Sequence, residues 1–370
     1  MPARLDALPS PDRTDIERGR AADPTVRAAD IAHVELETAR LGMLEAFFGD
    51  FGLTPAARTD DAVYLRAAGP AHHVVVLRRA ATPRVAAVAL RVPDALDLRR
   101  LASLAGASPV ETIDEPGGGL RVRLRTPGGL EVHAVHGVAA LPPLPVRPPM
   151  LHNHPAARTR VNATQRPPCA PSEVLRLGHV AVETRTFFAN LLFWLRTFGL
   201  IVSDYQFLED RPEFGPVMAF MRCDRGADPA DHHTVALAAG LDDALAHAAF
   251  EVQDLDAVAA GGEHLRRRGW RHAWGVGRHI LGSQLFDYWR DPDGVMVEHF
   301  ADGDVFDASA PTGRLAFRGT NLAQWGPPLP ADFLGAAPGP SLAGRVVGTL
   351  AGSDETTLGK LIATARALAR

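Results

Sequence analysis

The stretch Leu177–Leu200, LGHVAVETRTFFANLLFWLRTFGL, repeats an earlier stretch of the same chain, Ile31–Leu53, IAHVELETARLGMLEAFFGDFGL. Both copies carry an early histidine in an alternating, strand-like pattern, pass through Glu-Thr into the apolar spacing of a helix, and end on Phe-Gly-Leu. Gly199 stands where the helix is expected to end, because glycine readily adopts the backbone conformation of a C-terminal cap. Each copy therefore predicts a strand followed by a helix.

Three further pairs of segments match in the same order along the chain. They are AHHVVVL (Ala71–Leu77) with DHHTVAL (Asp231–Leu237), AVALRVPDALDL (Ala87–Leu98) with HAAFEVQDLDAV (His247–Val258), and TPGGLEV from Thr126 with DPDGVMV from Asp291. Four matches in one order indicate an internal duplication. Each copy contains two units in which a strand and a helix are followed by more strands. We therefore predict an α+β fold of two tandem modules, each built from paired βαβββ units whose mixed sheet curves around a cavity.

The remaining segments set the expected boundaries. A Pro-rich stretch between the copies cannot form a regular helix or a central strand and is assigned as a linker. The pattern TTLGKLIATARALAR near the C-terminus predicts a terminal helix. The expected organisation is a polar, mobile leader (1–27), an N-terminal degenerate module without metal (28–145), the linker (146–173), a C-terminal catalytic module (174–307) and a tail with the terminal helix (308–370).

The bulk composition excludes several classes of protein. The chain has 370 residues and a net charge of −4 with no block of basic residues, which argues against nucleic acid or a membrane as a partner. Two cysteines, Cys169 and Cys223, are too few for a disulfide framework. The polar N-terminus lacks the apolar core of a signal peptide, so a cytoplasmic location is expected.

The two copies differ at the residues that could bind a metal. The second copy has His179, His247 and Glu298, where the first has His33, Ala87 and His133. Residues on three strands of one curved sheet can converge on a single point. Two histidines and one carboxylate on one face of an ion form the facial triad of non-haem Fe(II) enzymes, which leaves positions open for substrate and dioxygen. We therefore predict His179, His247 and Glu298 as metal ligands.

Three further residues are candidates for acid–base and hydrogen-bonding roles. His233 falls on the apolar side of its expected strand, where it is either a core histidine or an acid–base group. Its neighbour His232 could be the working member instead, since only one of the two can point inward. His279 and Tyr288 precede Glu298 on consecutive segments, and an imidazole and a phenol beside a metal can hydrogen-bond an oxyanion.

The second module resembles the type I extradiol ring-cleavage dioxygenases (catechol 2,3-dioxygenases and dihydroxybiphenyl dioxygenases) of the vicinal oxygen chelate superfamily. The resemblance covers Val174–Phe333 strongly and the first module more weakly. It rests on the segments LGHV, DHHTVAL, HAAFEV, WGVGRHILGSQLFDYWRDPDGVMVEHF and, less diagnostically, NLAQWGPPLP. One departure is Ala181, two residues beyond the first ligand, where no polar side chain can reach the site.

The resemblance implies the chemistry. His179, His247 and Glu298 are similar to the family's Fe(II) ligands, and Mn(II) also suits two histidines and a carboxylate. His233 matches the acid–base histidine, and His279 and Tyr288 match the pair that holds the substrate oxygen. The implied partners are a catechol-type substrate and O2, whose two atoms both enter the ring-opened product. The resemblance also implies a homo-oligomer.

Two alternatives remain open at this point. One is a metal-dependent lyase or isomerase of the glyoxalase type, whose ligands commonly come from both modules. The other is a metal-free binding protein of the same fold, such as one that sequesters a drug. A complete triad within one module favours the dioxygenase over both.

Overall fold

The computed structural model describes residues 2–330, 332–333 and 340–370, and two large mixed β-sheets of eight and ten strands dominate it. Within these residues, every helix is too short or too polar to cross a membrane.

Helix α1 (Ser10–Arg18) precedes the first sheet. The elements that build this sheet and cover it are, in chain order, β1 (Asp30–Thr38), α2 (Leu41–Phe51), β2 (Thr54–Arg58), β3 (Ala62–Arg66), β4 (Val75–Arg79), β5 (Arg84–Arg91), α3 (Ala95–Ala102), β6 (Glu111–Thr112), β7 (Leu120–Arg125) and β8 (Glu131–His136).

The second half of the chain repeats this succession and then adds a tail. Its core elements are β9 (Arg176–Thr184), α4 (Phe187–Phe198), β10 (Ile201–Phe207), β11 (Pro216–Arg222), β12 (Ala230–Asp231), β13 (Val235–Ala239), β14 (Ala244–Glu251), α5 (Leu255–Arg267), β15 (Arg271–His279), β16 (Leu285–Arg290) and β17 (Met296–Ala301). The tail elements are β18 (Val305–Phe306), β19 (Gly313–Ala316), β20 (Ala323–Trp325), α6 (Pro340–Gly352) and α7 (Leu358–Leu368).

The strand orders of the two sheets confirm the duplication. The first sheet runs β2-β3-β4-β1-β5-β8-β7-β6, and the second runs β10-β11-β13-β9-β14-β17-β16-β15, with β19 and β20 added at its two edges. Each half is therefore a pair of βαβββ units, and the predicted α+β architecture of two tandem modules is confirmed.

Local sequence sets the helix ends in the second module. Helix α4 ends where Gly199 takes a left-handed conformation with φ 63°, as its position after the apolar run predicted. Asp254 caps α5, and its side chain accepts a hydrogen bond of 2.9 Å from the Ala257 backbone N–H.

The two halves pack through α2 and the strand that carries Glu298. The Phe51 ring stacks on the His299 ring with centroids 3.7 Å apart, and the His299 Nε2–H donates to the Phe51 carbonyl at 2.7 Å. Asp50 accepts hydrogen bonds from the His264 and Trp270 side chains. The first module therefore fixes His299, which adjoins the predicted ligand Glu298.

The leader differs from the mobile segment that its polar sequence suggested. Helix α1 packs against α4, because Arg196 forms ion pairs with Asp12 and Asp15 at 2.8 and 2.7 Å. The following residues continue this contact, and the Thr25 N–H donates to the Arg196 carbonyl at 2.7 Å. Polar residues that pair with a partner far along the chain give no periodic signal, so the sequence pattern did not reveal this packing.

One predicted strand begins later than the DHHTVAL pattern indicated. Strand β13 begins at Val235, and His232 and His233 lie in the non-strand segment before it, with His232 in a bend. A bend releases the two histidines from strict strand alternation, and both side chains are buried.

Candidate metal centre

Adjacent strands in the middle of the second sheet bring the predicted ligands together. His179 lies on β9, His247 on β14 and Glu298 on β17, and β14 pairs with both of the other strands. Ala249 on β14 stands opposite His179 on one side and Glu298 on the other. Since side chains at paired positions share a face of the sheet, the two groups point the same way.

The three ligand atoms form a triangle of nearly equal sides. His179 Nε2, His247 Nε2 and Glu298 Oε2 are each 3.4 Å from the other two. Imidazole nitrogen and carboxylate oxygen bind first-row divalent metals at about 2.0–2.2 Å. An ion at that distance from all three atoms fits this triangle.

The environment of these groups also suits a cation. Glu298 is fully buried, and no side chain among the described residues gives its carboxylate oxygens a hydrogen bond of good geometry. A buried carboxylate without a partner is costly, and a bound cation removes that cost. Burial lowers the pKa of His179 and of His247 to about 3, so both imidazoles are neutral at pH 7, the form that binds metal. The residues therefore fit a divalent metal ion.

His233 lies against this cluster and belongs to a chain of three side chains. Its ring centroid is 4.1 Å from that of His179, and it lines the cavity in front of the ligands. Its Nδ1 is 3.0 Å from His232 Nδ1, and His232 Nε2 is 2.8 Å from Asp204 Oδ2. Burial and the neighbouring histidines hold the pKa of His233 well below its usual range.

The chain of contacts assigns the protons on these rings. When the His232 ring is neutral, the Asp204 carboxylate accepts from its Nε2–H and its Nδ1 keeps a lone pair. His232 Nδ1 then accepts from the Nδ1–H of His233, so His233 Nε2 is unprotonated. Of the two adjacent histidines, His233 lines the cavity, and His232 orients it.

His279 and Tyr288 meet on the other side of the ligands. His279 Nε2 is 2.9 Å from the Tyr288 hydroxyl, and its Nδ1–H donates to the Leu322 carbonyl at 2.7 Å. His279 Nε2 therefore accepts from the Tyr288 O–H. Burial, followed by the charge of Glu298, raises the pKa of Tyr288 well above its usual value, so this phenol stays protonated.

A cavity of about 770 Å³ opens onto His179, His247 and these three side chains. Its lining is largely apolar and includes Trp274, Phe220 and Phe333. Three further aromatic residues of this module do not line the cavity, namely Phe187, Phe188 and Trp194. They are buried in the core on α4.

Sequence reasoning missed three contributors to the site. Asp204 gave no signal, because an acidic residue within a strand is common. Phe333 contacts the rings of Trp274 and Tyr288 with centroids 4.9 Å away, whereas Trp325, in the NLAQWGPPLP segment, is 46% exposed. Lys360 on α7 lines the cavity and is only 2% exposed. As the sole lysine of the chain it stood out by composition, but nothing in the pattern placed it at the site.

Sequence comparisons match the chain to known proteins. Residues 176–299 match the family model described as Glyoxalase/Bleomycin resistance protein/Dioxygenase superfamily. Metapyrocatechase 2 of Cupriavidus necator is 30% identical over 335 residues, which cover 87% of this chain and 97% of that protein.

Solved structures share the fold along most of the chain. The Mn(II)-bound glyoxalase from Novosphingobium aromaticivorans superposes with a TM-score of 0.67 at 25% identity, covering 82% of this chain and 94% of that one. Homoprotocatechuate 2,3-dioxygenase from Arthrobacter globiformis superposes with a TM-score of 0.68 at 20% identity, covering 85% and 92%.

Proposed function

Because the chain belongs to the type I extradiol dioxygenases of the vicinal oxygen chelate superfamily, we propose that it opens the ring of a catechol-type substrate next to the diol, with both atoms of O2 entering the product. Fe(II) is the metal that we assign to His179, His247 and Glu298, and Mn(II) is the alternative for the same ligands. The observation that carries the proposal is the triad itself, whose three ligand atoms lie together and whose two histidines line a large cavity.

The metal and the protein side chains have different roles in the proposed reaction. A bound Fe(II) ion supplies a Lewis acid for the catechol oxygens and a path for electrons between catechol and O2. The protein must hold the substrate, move its protons and keep water out. The apolar cavity wall around Trp274 and Phe333 provides contacts for an aromatic ring and limits water at the site.

His233 is proposed as the base for a catechol hydroxyl. Its unprotonated Nε2 is the acceptor left over when Nδ1–H donates to His232, and the side chain faces the cavity. General acid–base catalysis by a positioned histidine contributes typically ~10²–10⁴-fold.

Tyr288 and His279 are proposed to hold the substrate oxygen. The hydrogen bond from Tyr288 to His279 and the anchor of His279 on the Leu322 carbonyl fix both side chains beside the ligands. A substrate oxygen that acquires negative charge can accept from the Tyr288 hydroxyl, because that phenol stays protonated when buried.

The size of the cavity favours a substituted catechol. Cavities of ~300–1,000 Å³ hold drug-sized ligands, and this one, at about 770 Å³, exceeds the needs of a single ring. Residues of α6 and α7, among them Leu342, Lys360 and Leu361, form part of its wall. We therefore expect a catechol with a large apolar substituent to be preferred over catechol itself.

The test is anaerobic reconstitution of the full chain with Fe(II), Mn(II) or Zn(II), followed by O2 uptake with catechols of increasing substituent size. We expect uptake coupled to a coloured ring-opened product with Fe(II), and none with redox-inert Zn(II). Uptake with Mn(II) alone would change the metal assignment. The absence of uptake with every catechol and metal would overturn the proposed activity.

A further inference from the structure

The first sheet holds a second cluster of two histidines and one carboxylate. His33 and Glu35 lie on β1 and His133 lies on β8. Glu35 Oε1 is 3.4 Å from His33 Nε2 and 3.2 Å from His133 Nδ1. One donor atom from each residue lies within 4.8 Å of the others, as in the triad of the second sheet.

Strand registers show that this cluster is a rearranged version of the triad. His33 and His133 occupy the positions of His179 and Glu298, since each flanks the alanine of the central strand, Ala89 in place of Ala249. The third candidate ligand lies on a different strand in each sheet: His247 is on the central strand β14, whereas Glu35 is on β1, the neighbour of the central strand β5.

In the second sheet His247 stands opposite Ala181, whereas in the first sheet Ala87 stands opposite Glu35. The first sheet therefore has alanine where the second has the His247 imidazole, and it has the Glu35 carboxylate directly opposite, where the second has Ala181. Both sheets retain two histidines and one carboxylate.

The hydrogen bond of His133 to Glu131 leaves its other ring nitrogen, Nδ1, as the one that can bind a metal. Its Nε2–H donates to the Glu131 carboxylate at 2.9 Å, which leaves the lone pair on Nδ1. His133 Nδ1 is buried and faces Glu35 Oε1 at 3.2 Å. A carboxylate that fixes the far nitrogen of a metal-binding histidine is a recurring feature of metal sites.

The space at the cluster suits an ion but not a substrate. The side chains of His33, Glu35 and His133 are only 8%, 12% and 5% exposed. A cavity of about 20 Å³ lies against them, compared with about 770 Å³ at the second sheet. One water needs roughly 10–15 Å³, so an ion and at most one further small ligand can be accommodated. Zn(II) prefers four ligands in a tetrahedral arrangement, so the three side chains together with one small ligand would complete a closed site.

We propose that His33, Glu35 and His133 bind a second divalent transition metal, of the Zn(II) type, in a closed structural site. This departs from the expectation that the first module holds no metal, and it does not rest on the proposed dioxygenase activity. The competing arrangement is a metal-free cluster in which a protonated histidine pairs with Glu35, supported by the Arg78 guanidinium 4.0 Å from Glu35 Oε2.

The test is a count of metal ions on the full-length protein. The chain is stripped with a chelator, saturated with Zn(II) or Co(II), desalted and analysed for metal and protein. We expect two equivalents per chain in the wild type and one in Glu35→Gln. The matched control Glu115→Gln removes a nearby carboxylate that is not a ligand and should keep two equivalents.

A variant of the other triad separates the two sites. His247→Ala should retain one equivalent, and its Co(II) absorption bands should disappear when Glu35→Gln is added. One equivalent in the wild type together with none in His247→Ala would overturn the proposal. Because the wild type and His247→Ala both leave the first module intact, their metal counts decide between these outcomes even if Glu35→Gln does not fold.

Discussion

Asp204 controls the protonation of His233 through His232, although it touches neither the ligands nor the cavity floor directly. Its carboxylate accepts from His232 Nε2–H at 2.8 Å, and this contact decides which nitrogen of each ring carries hydrogen. The free lone pair at His233 Nε2 is the end result. A neutral amide in place of the carboxylate would exchange the protonated and unprotonated nitrogens of both histidine rings.

Asp204→Asn should therefore slow turnover while leaving the metal bound. The asparagine amide can donate to His232 Nε2, which moves a proton to His232 Nδ1 and makes His233 Nε2 the protonated nitrogen. Loss of the correct tautomer costs on the order of 10²–10⁴-fold in kcat. We expect such a fall in kcat with unchanged iron content, whereas Asp228→Asn, at an exposed position of the same module, should behave as the wild type. Equal kcat for both variants would show that Asp204 does not set the protonation of His233.

His233→Gln tests the base itself. Without a ring nitrogen at this position, kcat should fall by about 10²–10⁴-fold, and iron should stay bound because the three ligands remain. The first module supplies a matched control in His73→Gln, since His73 also lies 3.0 Å from its preceding histidine, Nδ1 to Nδ1. Turnover that survives His233→Gln would show that the proton is taken elsewhere.

Single residues also show what the sequence can and cannot predict. Comparison of the two copies singled out His179, His247 and Glu298, which the structure brings within 3.4 Å of one another, because duplicated segments align residue by residue. Asp204 was missed because its contact to His232 spans 28 positions. Glu35 was missed as well, since alignment at fixed positions does not register a ligand that moves to the neighbouring strand.

Among the elements, helix α4 depends on the tail for its N-terminal hydrogen bonds. Its N-cap residue, Thr186, makes no capping hydrogen bond from its side chain. Glu355 supplies the missing cap. The two carboxylate oxygens of Glu355 accept hydrogen bonds from the Phe188 and Ala189 N–H groups at 2.6 and 3.1 Å. Ser353 adds a hydrogen bond of 2.6 Å to the Arg185 carbonyl. The tail is thereby held against the second module, where α7 forms part of the cavity wall.

Glu355→Ala should loosen both the helix end and the cavity wall. Loss of a helix cap costs about 0.5–2 kcal/mol, so the free energy of unfolding should fall by that amount in a urea titration. KM for a bulky catechol should rise more than KM for a small one, because the displaced wall contacts the substituent. Asp354→Ala, at an exposed neighbouring position, serves as the control. An unchanged unfolding midpoint in Glu355→Ala would show that the cap contributes nothing.

The existence of the elements was easier to predict than their limits. Alternation and apolar spacing predicted the strand–helix pairs β9–α4 and β14–α5, because each element buries one face against the core. The start of β13 was placed too early because His232 and His233 continue its alternating pattern while the backbone bends. Strands β19 and β20 join the edges of the second sheet through contacts with distant strands, which local periodicity does not report.

At the scale of the whole molecule, the linker is attached to the second module at the start of α5. Asp254 accepts two hydrogen bonds from the Arg147 guanidinium, at 2.8 and 2.6 Å, and one from the Met150 N–H at 3.0 Å. Burial alone would raise the pKa of Asp254, but these hydrogen bonds outweigh it and hold the pKa at about 2. The ionised carboxylate is therefore the form that the folded chain stabilises.

This attachment should weaken in acid. Since the folded pKa of Asp254, about 2, lies below the ordinary value of 3.8, its contribution is complete above about pH 4 and is lost as the pH falls towards 2. With solvent screening we expect about 1 kcal/mol, measured as the difference in unfolding free energy between the wild type and Asp254→Asn. The difference should be constant from pH 5 to 7 and shrink below pH 4. A difference that grows on acidification would contradict the assignment.

The two modules have the same strand order, but the proposed ring opening is assigned to the second module alone. The direct measurement is product analysis after reaction of the Fe(II)-loaded full chain with ¹⁸O-labelled O2 and a substituted catechol, before the carbonyl oxygen exchanges with water. Ring opening beside the diol with two labelled oxygens in the product is the predicted result. A product that carries one label or none, or an unchanged catechol, would contradict the central claim.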